Sequence, residues 1–279
     1  MAGIKIVTDS SACLSREYCR EHDIAVMQLS YTFEGETSHE GAPEDWDAFY
    51  KRFAASGDFP KTSQAGLHGF LNAFEQALGA EGYDSVVCMT ITAGVSGTYH
   101  SAVTAAGMVD PERIHVINSK GGGSSLKMLV LDTVERIAQG MDVKQVVELA
   151  QRDVEQLKYQ FTPGSLEYLR RGGRISAAMA MLGGALKILP LIELVDGEMT
   201  VAERIRGGQK KVVDRMIARL PERVHKIGIS HVLALELAKE VEARLREKFP
   251  NAAIRIDQMN PVIGCHLGPG ALGIAALCE

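Results

Sequence analysis

The sequence is poor in the residues that several functions need. Only 6% of its 279 residues are aromatic, so stacking platforms for single-stranded nucleic acid are scarce. Positive charge is not in excess either: 30 Lys and Arg against 35 Asp and Glu leave a formal net charge of -5. That argues against a nucleic-acid partner, although a local basic patch would survive it. The five cysteines, Cys13, Cys19, Cys88, Cys265 and Cys278, are scattered and odd in number, and no two form a C-x-x-C pair. They read as reduced thiols of a cytosolic protein, not as a disulfide framework. Cysteines and histidines do not cluster at ligand spacing, so no metal is expected. No run of about 20 apolar residues occurs, and no charged leader precedes an apolar stretch at the start. The expectation is a soluble, cytoplasmic protein.

Apolar residues, by contrast, are plentiful. They make up 46% of the chain, too many for disorder. The length suits two domains, or one large one, at about 100–200 residues each. One stretch stands out, Thr90-Ile91-Thr92-Ala93-Gly94-Val95-Ser96-Gly97-Thr98-Tyr99-His100-Ser101-Ala102. It follows Ser85-Val86-Val87-Cys88-Met89, which reads as a buried strand. It leads into a small-residue helix, with Ser96 as the expected N-cap. A strand, a glycine-containing loop and a helix start place free N–H groups beside hydroxyls at a sheet edge. A carboxylate suits that place, because the amides and the helix dipole both favour negative charge.

Strands and helices alternate through the first half. Ile4 to Ser11, Ile24 to Phe33 and Ile114 to Ile117 read as strands. Glu34 to Glu44 reads as polar and turn-rich, and Val143 to Lys158 as helical. Alternation of this kind implies crossovers and a mostly parallel sheet. Hydroxyls mark several element ends: Thr8 and Ser10, Thr92 and Ser96, Ser119, and Thr62 with Ser63 before a helix. Each cluster could be no more than a cap, but together they fit one ligand-binding edge. The pattern changes near Tyr159, which places a boundary between residues 1–160 and 161–279. In the second part, Leu166 to Arg171 is a short helix stopped by Gly172-Gly173. Ala177 to Leu186 reads as a helix apolar all round, the pattern of a buried one. Asp196-Gly197 between two apolar runs signals a hairpin.

Five motifs occur in order over nearly the whole chain: Val7-Thr8-Asp9-Ser10, Lys61-Thr62-Ser63-Gln64, Ser96-Gly97-Thr98-Tyr99 with Ser101-Ala102, Leu166-Glu167-Tyr168-Leu169-Arg170-Arg171-Gly172-Gly173-Arg174-Ile175, and His266-Leu267-Gly268-Pro269-Gly270-Ala271. In this the chain resembles the DegV family. The resemblance implies a two-domain α/β fold with a mostly parallel N-terminal sheet. It implies a C-terminal α/β domain with a β-hairpin, and a long-chain fatty acid held between the domains. It also implies a lipid-binding role in phospholipid metabolism, without catalysis of its own or a cofactor. A separate fatty acid kinase would phosphorylate the bound acid to acyl phosphate. A membrane acyltransferase or the membrane surface is a further expected partner. The chain departs from the family pattern in having Thr92-Ala93 where two serines are usual, Ala65 where a proline is usual, and glycines at 121–123.

A fatty acid needs a dry slot for its tail. At about 0.8 kcal/mol per buried methylene, roughly fourteen of them gain on the order of 11 kcal/mol gross. Its carboxylate must not be buried alone. With the resemblance, Met179, Met181, Leu182, Leu186 and Ile188 become the expected tunnel, although an ordinary helix core would look the same. Thr62, Ser96, the amides of Gly97 and Thr98, Arg174 and His266 become the expected carboxylate site. Arg174 suits it because a guanidinium fork can bind both oxygens. His266 is expected in a loop beside Gly-Pro-Gly. Arg206 belongs to a basic cluster with Arg204, Lys210 and Lys211, either a solvated face or a docking patch for the kinase, an acyltransferase or anionic lipid headgroups. Two enzyme classes compete with binding. A serine hydrolase is opposed by Thr98 in the last glycine position of a G-x-S-x-G motif. A small-molecule kinase is opposed by Gly121-Gly122-Gly123-Ser124-Ser125, which lacks the Gly-Lys ending of a P-loop.

Overall fold

The computed structural model describes residues 3–174 and 188–278. Its first sheet forms from the apolar runs of the N-terminal half. β1 (Ile4–Asp9), β2 (Ile24–Met27), β6 (Ser85–Thr90) and β7 (Ile114–Asn118) pair in the order β2-β1-β6-β7, all parallel. β1 and β6 are buried at every position, as expected of parallel strands covered on both faces. Alternate side chains go to opposite cores. Ile6, Val87 and Met89 face α5 (Ser124–Ala138) and α6 (Val143–Gln156). Val7, Val86 and Cys88 face α3 (Leu67–Leu78) and α4 (Thr98–Val109). Strand order reverses between β1 and β6, which opens a crevice at their carboxyl ends.

The second sheet has six strands, in the order β10-β9-β8-β13-β11-β12. They are β8 (Leu157–Thr162), β9 (Ile188–Val195), β10 (Glu198–Arg206), β11 (Val224–His231), β12 (Ala253–Gln258) and β13 (Leu272–Cys278). Only β11 and β12 run parallel. One face packs on α8 (Gln209–Arg219) and α9 (Leu235–Lys248) through Leu191, Ile229, Val212 and Val241. The other face, with Tyr159, Phe161, Ile192 and Ala275, packs on an aromatic cluster from α2 (Trp46–Ala55). Beside that helix lies a small antiparallel sheet, β4-β3-β5, made of β3 (Ser30–Phe33), β4 (Glu36–His39) and β5 (Lys61–Ser63). Two short helices, α7 (Leu166–Arg171) and α10 (Pro261–Leu267), complete this side.

Several elements differ from their sequence reading. Ile24 to Phe33 is not one strand: β2 belongs to the parallel sheet and β3 to the small one. The break is held at Leu29, whose N–H donates to Ser10 Oγ while its carbonyl accepts from Glu40 N–H. The polar stretch after β3 contains β4, whose four residues are all exposed. α6 ends at Gln156, and β8 already runs through position 160. Lys61–Ser63 precedes α3 as expected, and forms a short strand there. The expected apolar helix, with Met179, Met181, Leu182 and Leu186, lies outside the described residues. Ile188 opens β9, half-buried against the aromatic core. No helix among the described residues is long and apolar enough to cross a membrane.

Candidate functional site

A slot runs between the loop after β6 and the inner face of the second sheet. Its apolar walls include Leu29, Ile91, Phe161, Leu194, Met199 and Ile263, from six different segments. Counted out to its open mouth and into the solvent beyond, the empty space is ≈ 710 Å³. Glycine lets the chain approach closely here: a Cβ on Gly122 would lie 3.2 Å from Ile91 and 3.4 Å from Ile263. The β9–β10 turn closes onto the β6 loop, where Thr92 Oγ1 donates to the Gly197 carbonyl at 2.9 Å.

One part of the lining is polar. The structure brings Thr62, Ser96, Arg174 and His266 to the same slot, although they are far apart in sequence. Thr62 comes from β5, Ser96 from the β6–α4 loop and Arg174 from just beyond α7. His266 lies in the last turn of α10, not in a loop; the loop begins at Gly268, whose φ is 75°. His266 Nε2 and Thr62 Oγ1 are 2.8 Å apart. Nδ1 is buried without a hydrogen-bond partner among the described residues. Gly172 leaves it no room for one, since a Cβ there would lie 2.0 Å from Nδ1. Burial, reinforced by the charge of Arg174, pushes the imidazole pKa down to about 4, so the ring is neutral at neutral pH. An unpaired ring acceptor leaves no N–H stranded, so the proton belongs on Nε2. From there it donates to Thr62 Oγ1 and leaves the threonine hydroxyl proton free to point into the slot.

Arg174 donates from Nη1 to the Gly172 carbonyl at 2.7 Å and from Nε to the Val95 carbonyl at 3.3 Å. It thus spans the end of α7 and the β6 loop, with its charge beside His266. Ser96 Oγ and Thr98 Oγ1 share a bond of 2.9 Å.

Gly97 and Thr98 stand apart from this set, since neither lines the slot. Thr98 is fully buried; its N–H donates to Ser96 Oγ, and its hydroxyl oxygen accepts from Ala65 N–H. Gly97, not Ser96, is the N-cap of α4, and a Cβ on it would collide with Gln64 Oε1 at 2.1 Å. Arg206 is exposed at the end of β10, across from Ile188, and it too is not part of the lining. The walls from Tyr159, Phe161 and Leu194 were missed from sequence. For Tyr159 and Phe161 the signal was a period-2 alternation in β8 that the reading of α6 partly absorbed; Leu194 lies in β9. No group of three or more His, Cys, Asp or Glu among the described residues could hold a metal.

Together, the two large sheets and the slot define an α/β protein with a narrow apolar pocket, polar along one part. A family model described as an uncharacterised protein of the DegV family matches residues 3–279. The chain belongs to the DegV family. It is 32% identical, over 98% of each chain, to a DegV domain-containing protein of Caldanaerobacter subterraneus subsp. tengcongensis. It is 31% identical to protein DegV of Bacillus subtilis, over 97% of this chain and 98% of that one. Among solved structures, it matches the fatty acid-binding DegV of Bacillus subtilis with a TM-score of 0.88 at 28% identity, over 100% of both chains. It matches a stearic acid-binding protein from Eubacterium ventriosum with a TM-score of 0.84 at 26% identity, over 99% of this chain and 98% of that one.

Proposed function

We propose that this protein binds a long-chain fatty acid and presents its carboxylate to a separate fatty acid kinase, which converts it to acyl phosphate. The observation that carries this reading is the slot itself, apolar along most of its length and polar where Thr62, Ser96, Arg174 and His266 meet. The tail lies against Phe161, Leu194 and Met199, where each buried methylene contributes about 0.8 kcal/mol. The carboxylate meets the Thr62 and Ser96 hydroxyls and the Arg174 guanidinium, which spares it the cost of burial without a partner. Ser96 and the neutral His266 keep separate partners, so neither hydrolysis nor transfer is assigned to this chain. Residues 1–160 and 161–279 act as the two lobes that enclose the acid. The exposed Arg206, with Arg204, Lys210 and Lys211 nearby, is the docking patch for the kinase. An acyltransferase or the membrane surface receives the product, and the setting is the cytoplasm.

Native mass spectrometry of the purified protein tests this. The expected result is an added mass equal to a C14–C18 acid. An empty protein that also fails to take up such acids sinks the proposal. Ester hydrolysis, or ATP consumption by the chain alone, would point to the enzyme classes instead. Arg206→Ala should slow phosphorylation by the kinase and leave acid affinity intact; an unchanged rate returns Arg206 to the solvated surface.

A further inference from the structure

Behind the apolar wall lies a second set of buried polar groups, distinct from the slot's polar end. Asp9 closes β1 and is fully buried. Its Oδ1 accepts from Ser11 N–H at 2.9 Å, and its Oδ2 accepts from Ile91 N–H at 2.7 Å. Glu40 follows β4 and is 3% exposed. Its Oε1 accepts from the Ser10 hydroxyl at 2.5 Å. Its Oε2 accepts from Asn260 Nδ2 at 2.7 Å and from Val262 N–H at 2.9 Å. Ser10 Oγ in turn accepts from Leu29 N–H at 2.9 Å, and the Leu29 carbonyl accepts from Glu40 N–H at 3.1 Å.

Three of the residues gripped in this way, Leu29, Ile91 and Val262, line the slot. Each comes from a different segment: the β2–β3 break, the end of β6 and the start of α10. Each is held by its backbone, so its side chain is free to face the slot. Asn260 is the N-cap residue of α10, yet its side chain makes no cap bond. Glu40 supplies the acceptor that an N-cap side chain would otherwise offer to the first turn.

We propose that Glu40, seconded by Asp9, is a positioning residue for the acyl tail: Glu40 fixes the backbone of the Leu29 and Val262 segments, Asp9 that of Ile91, and together they set how closely the slot grips each methylene. The proposal rests on the fatty-acid reading above and deepens it. Both carboxyls are retained against a desolvation cost. Burial pushes Asp9 up to about 6 and Glu40 up to about 7, with the neighbouring Asp9 charge adding to the latter. Neither of them lines the slot, so their effect on a ligand passes through the wall.

The test is the affinity of the full chain for saturated acids of 12, 14, 16 and 18 carbons, with folding checked by thermal melting. In the wild type each added methylene should tighten binding by a factor of about four, as expected for complete burial. In Glu40→Gln, an amide donor confronts Val262 N–H or Ser10, and the wall loosens. The factor per methylene should fall to about two. Arg174→Ala should instead weaken all four acids by one common factor. A folded Glu40→Gln that keeps the wild-type increment, or that loses affinity equally at every length, overturns the proposal alone. A wild type that binds none of the acids overturns the fatty-acid reading and this proposal with it. If Glu40→Gln does not fold, Ser10→Ala decides, because it removes only the hydroxyl bridge between the Glu40 carboxylate and Leu29 N–H and leaves the direct backbone bond between the two residues. Its increment should fall between those of the other two proteins, and an unchanged one counts as refutation.

Discussion

Two sets of polar side chains lie close to the slot, and they are finished differently. In the Asp9–Glu40 set, every carboxylate oxygen meets at least one donor. In the Thr62–His266 set, one ring nitrogen is buried without a partner among the described residues, and the paired hydroxyl keeps a proton to give. Buried polar groups are nearly always satisfied; Gly172 shields Nδ1, so the Thr62 hydroxyl is the group of this pair left to meet a ligand. The carboxylates hold walls in place, although Asn260 Oδ1 in that set is itself buried without a partner among the described residues, whereas the hydroxyl among the lining residues is free to meet a guest. The physical difference is one of location: the acids lie behind the lining residues, the Thr62–His266 set among them.

Mutations on the two sides should separate stability from binding. The largest effect is expected for Glu40→Ala. It strands the Ser10 hydroxyl, the Asn260 amide and the Val262 N–H, at about 1–3 kcal/mol each. Urea denaturation should show a loss on the order of 4 kcal/mol; a loss under about 1 kcal/mol would mean that water or a shifted side chain replaces the carboxylate. Arg174→Ala comes next and should reverse the pattern. Calorimetric titration should find acid binding about 10–100-fold weaker, the scale of one charged hydrogen bond, with an unchanged melting temperature.

A smaller effect concerns pH. Asp9 and Glu40 have folded pKa values raised above their unfolded ones by burial. Their contribution is therefore complete below the unfolded values and lost as pH rises through about 6 and about 7. His266 runs the other way, since its pKa is depressed to about 4; it withdraws stability as pH falls below its unfolded value. Between pH 8 and 6.5 the acids dominate, and stability should rise by roughly 0.5 kcal/mol on acidification. Glu40→Gln should remove most of that rise in melts at the two pH values; an equal rise in both proteins assigns it to other groups. The smallest effect is expected for Ser96→Ala. Its hydroxyl already serves Thr98, so acid affinity should fall only a few-fold. A hundredfold loss in a displacement assay would move Ser96 to the centre of the carboxylate contact.

Much of the parallel sheet was legible because its strands are short apolar runs, and the Asp196-Gly197 turn and the Leu166–Arg171 helix carry strong local signals. β4 was not legible, because Glu36-Thr37-Ser38-His39 is polar throughout and all four residues are exposed. The break between β2 and β3 was hidden for another reason: both pieces favour strand, and only the tertiary grip on Leu29 separates them. Thr62, Ser96, Arg174 and His266 were singled out by residue type and motif, and their convergence on one slot is a tertiary fact. The position of His266 on a helix was missed, since Gly268-Pro269-Gly270 suggested loop on both sides. Glu40, between His39 and Gly41, looked like any surface acid. Nothing local announces a carboxylate whose partners sit 30 and 222 positions away.

The turn joining β9 and β10 carries two duties on two residues. Asp196 and Gly197 both adopt positive φ, 51° and 84°, as the tight reversal requires. The same pair is where the hairpin meets the other sheet, with Thr92 bonded to the Gly197 carbonyl and Lys120 to Asp196. A side chain at position 197 would be penalised twice, once by its backbone and once because its Cβ would lie 2.5 Å from Thr92 Oγ1. This tight reversal and the point of closure thus tolerate change only together, and a graft of this hairpin would have to carry the β6 loop with it.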